Sequence, residues 1–361
     1  MVKRKVVAFG EVLGAMRANG YESFGDTNSV VLVAGGSEVN VAGKVAGLAP
    51  GIEAQYITKM KDDLVGRLLR YEMQKYKVGM DHVIWTDGDR NGFCFVEQGL
   101  GPITAEGQYD RAHSAIACAE PGEFDFSVIE GADAFFVSGI TPALSANCLE
   151  NSRLALAAAK EFDVPAFMDI NYRNKLWRPQ ESHDALMDVI DREQLSCVIT
   201  TETDARVVFG VDRGFDDGKP MDEILDCCRE ILEGLHEKFS GNVPIIVMTV
   251  RKRITNERGE WTTIALLEGE TYVTGDRFDY IVLDRYGAGD SCSAGIIGGF
   301  VGVTPGGGVE EGLSLEERIR NGLNLGNRMS VVVQKTVSDI GPQWSAREYF
   351  KRVGKSKEIA R

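Results

Sequence analysis

Short apolar runs recur along the chain at the length of buried strands, and stretches of helical periodicity separate them. Val6, Val7, Ala8 and Phe9 form the first run, closed by Gly10, and residues 29–34 form the second, closed by Gly35 and Gly36. Further runs at 54–58, 134–139, 164–169, 197–200 and 244–249 repeat the pattern. Between them a helix is predicted from Val39 to Leu48, stopped by Pro50-Gly51, and another from Asp63 to Tyr76 on the spacing of Leu64, Leu68, Leu69 and Met73. Helices are also predicted over 143–162, 181–192, 204–209 and 221–239, and two more, near 290–301 and 315–333, close the chain. Residues 260–283 read as short antiparallel strands, 92–97 as an edge or lid strand, and 98–112 as a segment rich in glycine and charge. Apolar strands alternating with helices imply a mostly parallel sheet covered on both faces. Segments 12–34 and 92–97 break that rhythm and would form a small separate sheet.

Length and charge narrow the picture. A chain of 361 residues is long enough for two domains, or for one large α/β domain carrying an insertion. No run of about 18 apolar residues occurs, so no transmembrane helix is expected. The basic start, Lys3-Arg4-Lys5, reads as the lead into a strand rather than a signal peptide, and a cytoplasmic location is expected. A formal net charge of −14 argues against a nucleic-acid partner. The seven cysteines are scattered with no Cys-x-x-Cys pair, and the four histidines stand apart, so neither a disulfide framework nor a structural zinc site is expected.

Candidate chemistry gathers where strands end. In open α/β sheets ligands bind at the carboxyl edge. Gly36 and Asn40 follow one strand, Asp169, Asn171 and Arg173 another, Thr201 and Asp204 a third, Thr249 and Arg251 a fourth, and Asp290 the last. The most informative stretch is 284–297. Gly287, Ala288 and Gly289 can bend tightly and offer backbone N–H groups, and an apolar helical run follows Asp290. Such a turn at a helix N-terminus is an anion site. A carboxylate there makes chemical sense if it takes the proton from a hydroxyl that attacks a phosphate. From these residues alone, Asp290 is equally well read as a helix N-cap.

Residues 284–297 resemble the second signature of the ribokinase/PfkB family of carbohydrate kinases, and residues 35–40 resemble its first, a Gly-Gly pair with Asn four residues on. Segments 109–116, 139–144 and 169–177 are similar to one branch, the 2-keto-3-deoxygluconate kinases. The resemblance implies a ribokinase-like three-layer α/β sandwich. It implies a single kinase domain over 1–361, with lid strands inserted at about 12–34 and 92–112. It further implies ATP-dependent phosphorylation of the terminal hydroxyl of a sugar acid, with 2-keto-3-deoxygluconate yielding its 6-phosphate, and ATP and Mg²⁺ as co-substrate and cofactor. Asp290 would be the base, with Gly287, Ala288 and Gly289 holding the phosphoryl group. Gly36, Asn40, Tyr109, Arg111 and Arg173 would bind the sugar acid. Thr201, Asp204, Thr249, Arg251, Gly289 and Asn327 would face the nucleotide, with Asp204 touching the metal indirectly. Thr201 replaces the usual Asn of an Asn-x-x-Glu/Asp motif, Arg285 stands where many members have Thr, and residues 250–260 lack the usual Lys-x-Gly-x-x-Gly. Exposed lid strands could pair across a homodimer or higher homo-oligomer. Rival readings are a neutral-sugar kinase and a non-catalytic sugar-binding relative; a dinucleotide oxidoreductase lacks its Gly-x-Gly-x-x-Gly.

Overall fold

A computed structural model describes residues 2–99, 101–284 and 286–354 of the chain; Arg285 lies outside the described residues. Strand β1 (Arg4–Phe9) enters the middle of a large sheet, and its last four residues are buried. The chain then leaves that sheet for β2 (Leu13–Ala18) and β3 (Val30–Gly35). It returns through α1 (Ser37–Val45), β4 (Ile52–Lys61), α2 (Leu64–Lys75) and the short strands β5 (Val78–Gly79) and β6 (Val83–Thr86). A second excursion forms β7 (Gly92–Glu97) and β8 (Glu106–Asp110). Strand and helix then alternate: β9 (Ala134–Ser138), α3 (Ala146–Glu161), β10 (Ala166–Asp169), α4 (Pro179–Glu193), β11 (Cys197–Thr200), α5 (Glu202–Val207), α6 (Met221–Lys238) and β12 (Ile245–Arg253). Then come β13 (Arg258–Leu267), β14 (Thr271–Thr274) and β15 (Phe278–Ile281), and last α7 (Ala288–Phe300), α8 (Leu315–Val333) and α9 (Ala346–Arg352).

The large sheet runs β14-β13-β12-β11-β10-β9-β1-β4-β5, with β15 on β13 and β6 on β4. Its centre is parallel: Ala8 lies opposite both Tyr56 and Phe136, and Asp169 opposite both Ser138 and Ile199. Side chains alternate between two apolar layers, as the period of a strand requires. Ala8, Phe136, Phe167 and Ile199 pack beneath α1, α7 and α8, while Val7, Phe135, Met168 and Val198 pack against α3, α4 and α6. This is the mostly parallel sheet covered on both faces that the strand and helix rhythm implied.

The small sheet has the order β3-β2-β7-β8. β2 pairs antiparallel with β3 but parallel with β7. Leu13, Ala15, Cys94 and Val96 turn one face inward, against Val33 and Tyr286.

Local pattern missed some features. β7 is an interior strand of the small sheet, not an edge; β3 and β8 are the edges. β8 is polar and mostly exposed, so only its backbone pairing with β7 makes it a strand. α1 begins at Ser37 and ends at Val45, two or three residues earlier than its apolar spacing suggested. Residues 260–283 hold the expected antiparallel strands, β14 and β15 being short, but β13 is ten residues long and forms one hairpin with β12. A third helix, α9, ends the described chain, started by a reciprocal cap between Ser345 and Glu348. No helix among the described residues is long and apolar enough to cross a membrane.

Candidate active site

The first turn of α7 is the anchor. Gly287, its N-cap, has φ 76°. A Cβ there would lie inside the carbonyl of Asp339, so only glycine fits. The opening N–H groups of α7 have no carbonyl of their own helix to bond, which leaves them available to an anion. Gly289 is exposed at this point and Asp290 is half-buried.

Asp290 is not a simple N-cap: its side chain makes no cap bond. Its carboxylate is instead held from across the cleft by the first turn of α1. Ser37 Oγ donates to Oδ1 at 2.8 Å and Asn40 Nδ2 to Oδ2 at 2.6 Å. Asn171 Nδ2 reaches Ser37 Oγ at 3.3 Å. Gly36 makes this approach possible: at φ 139° a side chain would run into the carbonyl of Glu11. Ser37 escaped the sequence reading, although its spacing to Asn40 puts both on one helical face.

Three carboxylates converge here. Burial raises the Asp290 pKa, and the bonds from Asn40 and Ser37, with the charges of Arg173 and Lys44, partly offset that. Asp169, at the end of β10, is pushed well above the carboxylate range by burial, then by Asp204 and Asp290. Asp204 in α5 rises to about 6, chiefly through burial, against hydrogen bonds that favour its charge. Thr201 caps α5: its hydroxyl accepts from Asp204 N–H at 3.1 Å and donates to Asp204 Oδ2 at 3.0 Å. Burial also lowers Lys44 to about 7, against the pull of Asp290 and Asp339. Its ammonium donates to the Ile340 carbonyl.

Over this edge lies the small sheet. Tyr109, on β8, is 41% exposed, and Arg111 lies just beyond with its guanidinium 5.3 Å from the Tyr109 ring. Arg111 is already engaged: its Nε donates to Glu11 Oε2 at 2.6 Å, and Ser114 Oγ donates to Glu11 Oε1 at 2.6 Å. Glu11 is buried at 2% exposure, so most of the Arg111 charge is spent within the protein. Arg173 differs. It is exposed and its side chain has no hydrogen bond or ion pair with any described residue, yet its charge acts on Asp290, Asp204, Asp169 and Tyr109. It is therefore a free guanidinium between the lid and the acids.

The remaining predicted residues lie on β12 and α8. Thr249 and Arg251 lie on the outer stretch of β12, with Arg251 exposed and 5.8 Å from the Trp261 ring centre. Asn327 is wholly buried; it accepts from Trp261 Nε1 at 3.0 Å and donates to the Asp276 carbonyl at 2.7 Å. Its amide therefore braces the core of α8, with one bond at each end.

The arrangement can hold an anion at a helix start, take a proton beside it and bind a second acidic group nearby. Its likeness to known proteins agrees. The 2-dehydro-3-deoxygalactonokinase of Haloferax volcanii is 33% identical over 208 residues, a match spanning 58% of this chain and 64% of that relative. The 5-dehydro-2-deoxygluconokinase of Bacillus anthracis is 26% identical over 341 residues, 93% of this chain and 91% of the relative. The crystal structure of 2-dehydro-3-deoxygluconokinase from Thermotoga maritima superposes with a TM-score of 0.84 at 26% identity, covering 97% of this chain and 98% of that one. With a model of the pfkB family of carbohydrate kinases matching residues 3–341, the chain belongs to that family and is a carbohydrate kinase.

Proposed function

We propose that the protein transfers the γ-phosphoryl group of ATP to the terminal hydroxyl of a six-carbon 2-keto-3-deoxy sugar acid, with 2-keto-3-deoxygluconate as substrate and its 6-phosphate as product. The reading rests on one observation above all: the Asp290 carboxylate is clamped by Ser37 and Asn40 beside the opening N–H groups of α7. Each carboxylate oxygen keeps a lone pair beyond these bonds, so a substrate hydroxyl can still donate to it. Asp290 takes that proton as the oxygen attacks phosphorus. The N–H groups of residues 287–289 receive the charge of the transferring phosphoryl group, and fixed dipoles in a site shielded from water do so effectively.

Arg173 supports the acid class. A planar guanidinium without a protein partner suits a carboxylate, whose two oxygens it can bond together. Arg111, spent on Glu11, would orient the lid segment carrying Tyr109 rather than neutralise the sugar. Gly36 and Asn40 line the sugar side of the cleft. The names of the relatives fit a keto-deoxy acid of either gluco or galacto configuration.

The site also suits Mg²⁺. Burial raises the pKa of Asp169, Asp204 and Asp290, and Asp204 and Asp290 raise Asp169 further, so a cation beside them would be favoured. Among the described residues no group of three or more His, Cys, Asp or Glu side chains forms a metal cage. Asp204, with Asp169 beside it, would hold the ion through water while phosphate oxygens complete its shell. When bound, Mg²⁺ neutralises charge on the phosphates. Thr201 contributes by fixing the Asp204 rotamer. Thr249 and Arg251 would border the nucleotide.

The test is a coupled assay of ATP consumption against 2-keto-3-deoxygluconate, its galacto epimer, gluconate, fructose and ribose. Turnover of a keto-deoxy acid well above fructose and ribose is expected. Preference for a neutral sugar would overturn the substrate class. Asp290→Asn should lower kcat by roughly 10²–10⁴ with sugar binding near normal; loss of binding with little loss of turnover would remove the base assignment.

A further inference from the structure

The small sheet is tied to the phosphoryl-binding turn by a charge network that the reaction does not touch directly. Arg17, the next-to-last residue of β2, is 1% exposed. It donates to Asp284 through one terminal nitrogen and to Asp339 through the other. Asp284 leads into the turn of α7, and Asp339, from the connection between α8 and α9, packs against it. Asp284 stands three residues before Gly287, and its other oxygen accepts the Tyr286 N–H at 3.0 Å, which shapes the chain entering the turn. Asp339 lays its carbonyl against Gly287 from the other side. Tyr286 completes the set: the Arg17 guanidinium lies 5.2 Å from its ring centre, and its hydroxyl faces Gly107 of β8. The lid thus meets the turn at both acids and at the tyrosine between them.

A buried ion network is weak support for stability, because a well-packed apolar group of equal volume often serves as well. What a forked guanidinium supplies is fixed distance and angle between its two partners. Here those partners are the residue leading into the turn and one packed against its glycine, and the fork comes from the small sheet.

We propose that Arg17 is a positioning residue for phosphoryl transfer: by bracing Asp284 and Asp339 it sets the spacing of the N–H groups at Gly287–Gly289, and it does so only when the small sheet lies over the cleft. The inference rests on the reading of that turn as the phosphoryl site. Positioning of this kind acts in the reacting complex, so its loss lowers kcat more than it raises KM.

The experiment compares the wild-type enzyme with Arg17→Lys and Arg17→Ala in the same ATP-consumption assay, with melting temperatures alongside. Lysine keeps the charge but replaces the rigid planar fork with a point charge on a flexible stem. Arg17→Lys is expected to fold and to lose at least about tenfold in kcat, with KM for sugar and ATP within about threefold. In Arg17→Ala, tens of millimolar guanidinium ion should restore a measurable part of kcat by filling the space between the two acids, whereas an equal concentration of urea should not. Wild-type kcat in Arg17→Lys would overturn the proposal, and so would equal rescue by urea and guanidinium. If Arg17→Ala does not fold, the Arg17→Lys result alone decides. Asp290→Asn, run in parallel, separates this proposal from its premise. Retained turnover there removes the reading of the turn, while its loss beside an unimpaired Arg17→Lys removes only the role of Arg17.

Discussion

Replacing Arg173 with alanine should convert the enzyme from one that favours acids into one nearly indifferent to them. The side chain is exposed and bonds no described protein group, so its removal leaves no buried partner stranded and should cost little stability. Its loss is felt by the ligand. A charge-assisted, two-pronged bond to a carboxylate contributes about 1.5–3 kcal/mol, or roughly 10- to 150-fold in kcat/KM. A second effect has a definite sign. The Arg173 charge holds the Asp290 pKa down against the burial that raises it. Without it Asp290 titrates higher still, and a base must be ionised to act, so the acid limb of the rate profile should move toward higher pH. Rates must therefore be compared on the alkaline plateau, with 2-keto-3-deoxygluconate against fructose. The acid should lose 10- to 150-fold there and fructose no more than about threefold. An equal loss for both sugars would refute the carboxylate role, and an unmoved acid limb would refute the electrostatic reading of Arg173 and Asp290.

Asp204→Asn should trade activity for stability. The folded state lifts this carboxyl from 3.8 to about 6. A raised acid pKa means that the folded protein holds the proton more tightly, so stability from this group is full below about 4 and lost as pH climbs through about 6. Near neutrality the cost is about 3 kcal/mol, taken as a shift of roughly two units. The ligand-free variant should thus melt above wild type at pH 8 and converge with it near pH 4, while kcat/KM for MgATP falls; a variant that melts lower at pH 8 contradicts this. Gly287→Ala should destabilise by about 1–3 kcal/mol or more, since it adds a side chain at positive φ and against a carbonyl. Urea unfolding measures it, and an unchanged midpoint would mean the turn adopts another conformation in solution.

Much of the architecture was legible because strands of a parallel sheet are buried on both faces and so read as unbroken apolar runs, as Val6–Phe9 and residues 244–249 do. β8 was not, because its five residues are polar and their conformation comes from pairing with β7. α9 was not, because seven residues offer too few turns for a periodic signal, although its Ser345–Glu348 cap is written in the chain. Within the site, Asp290 and the glycine turn stood out because a small-residue bend before a helix is a local device. Asn327 lies buried against Trp261, and a polar residue on a helix looks the same from sequence whether it faces a ligand or the core.

By itself, the order of residues determined what depends on neighbours a few positions apart: strand, helix, the bend at Gly287 and the acid that follows it. Partnership across the fold was decided only when the chain closed. Ser37 meets Asp290 across 253 residues, Arg17 meets Asp284 across 267, and Glu11 takes up Arg111 across 100. A charged side chain removed from water must find a partner, and which one it finds depends on the elements that pack around it. That is why two arginines of similar promise in the sequence, 111 and 173, ended with one bound to Glu11 and the other exposed without a described side-chain partner.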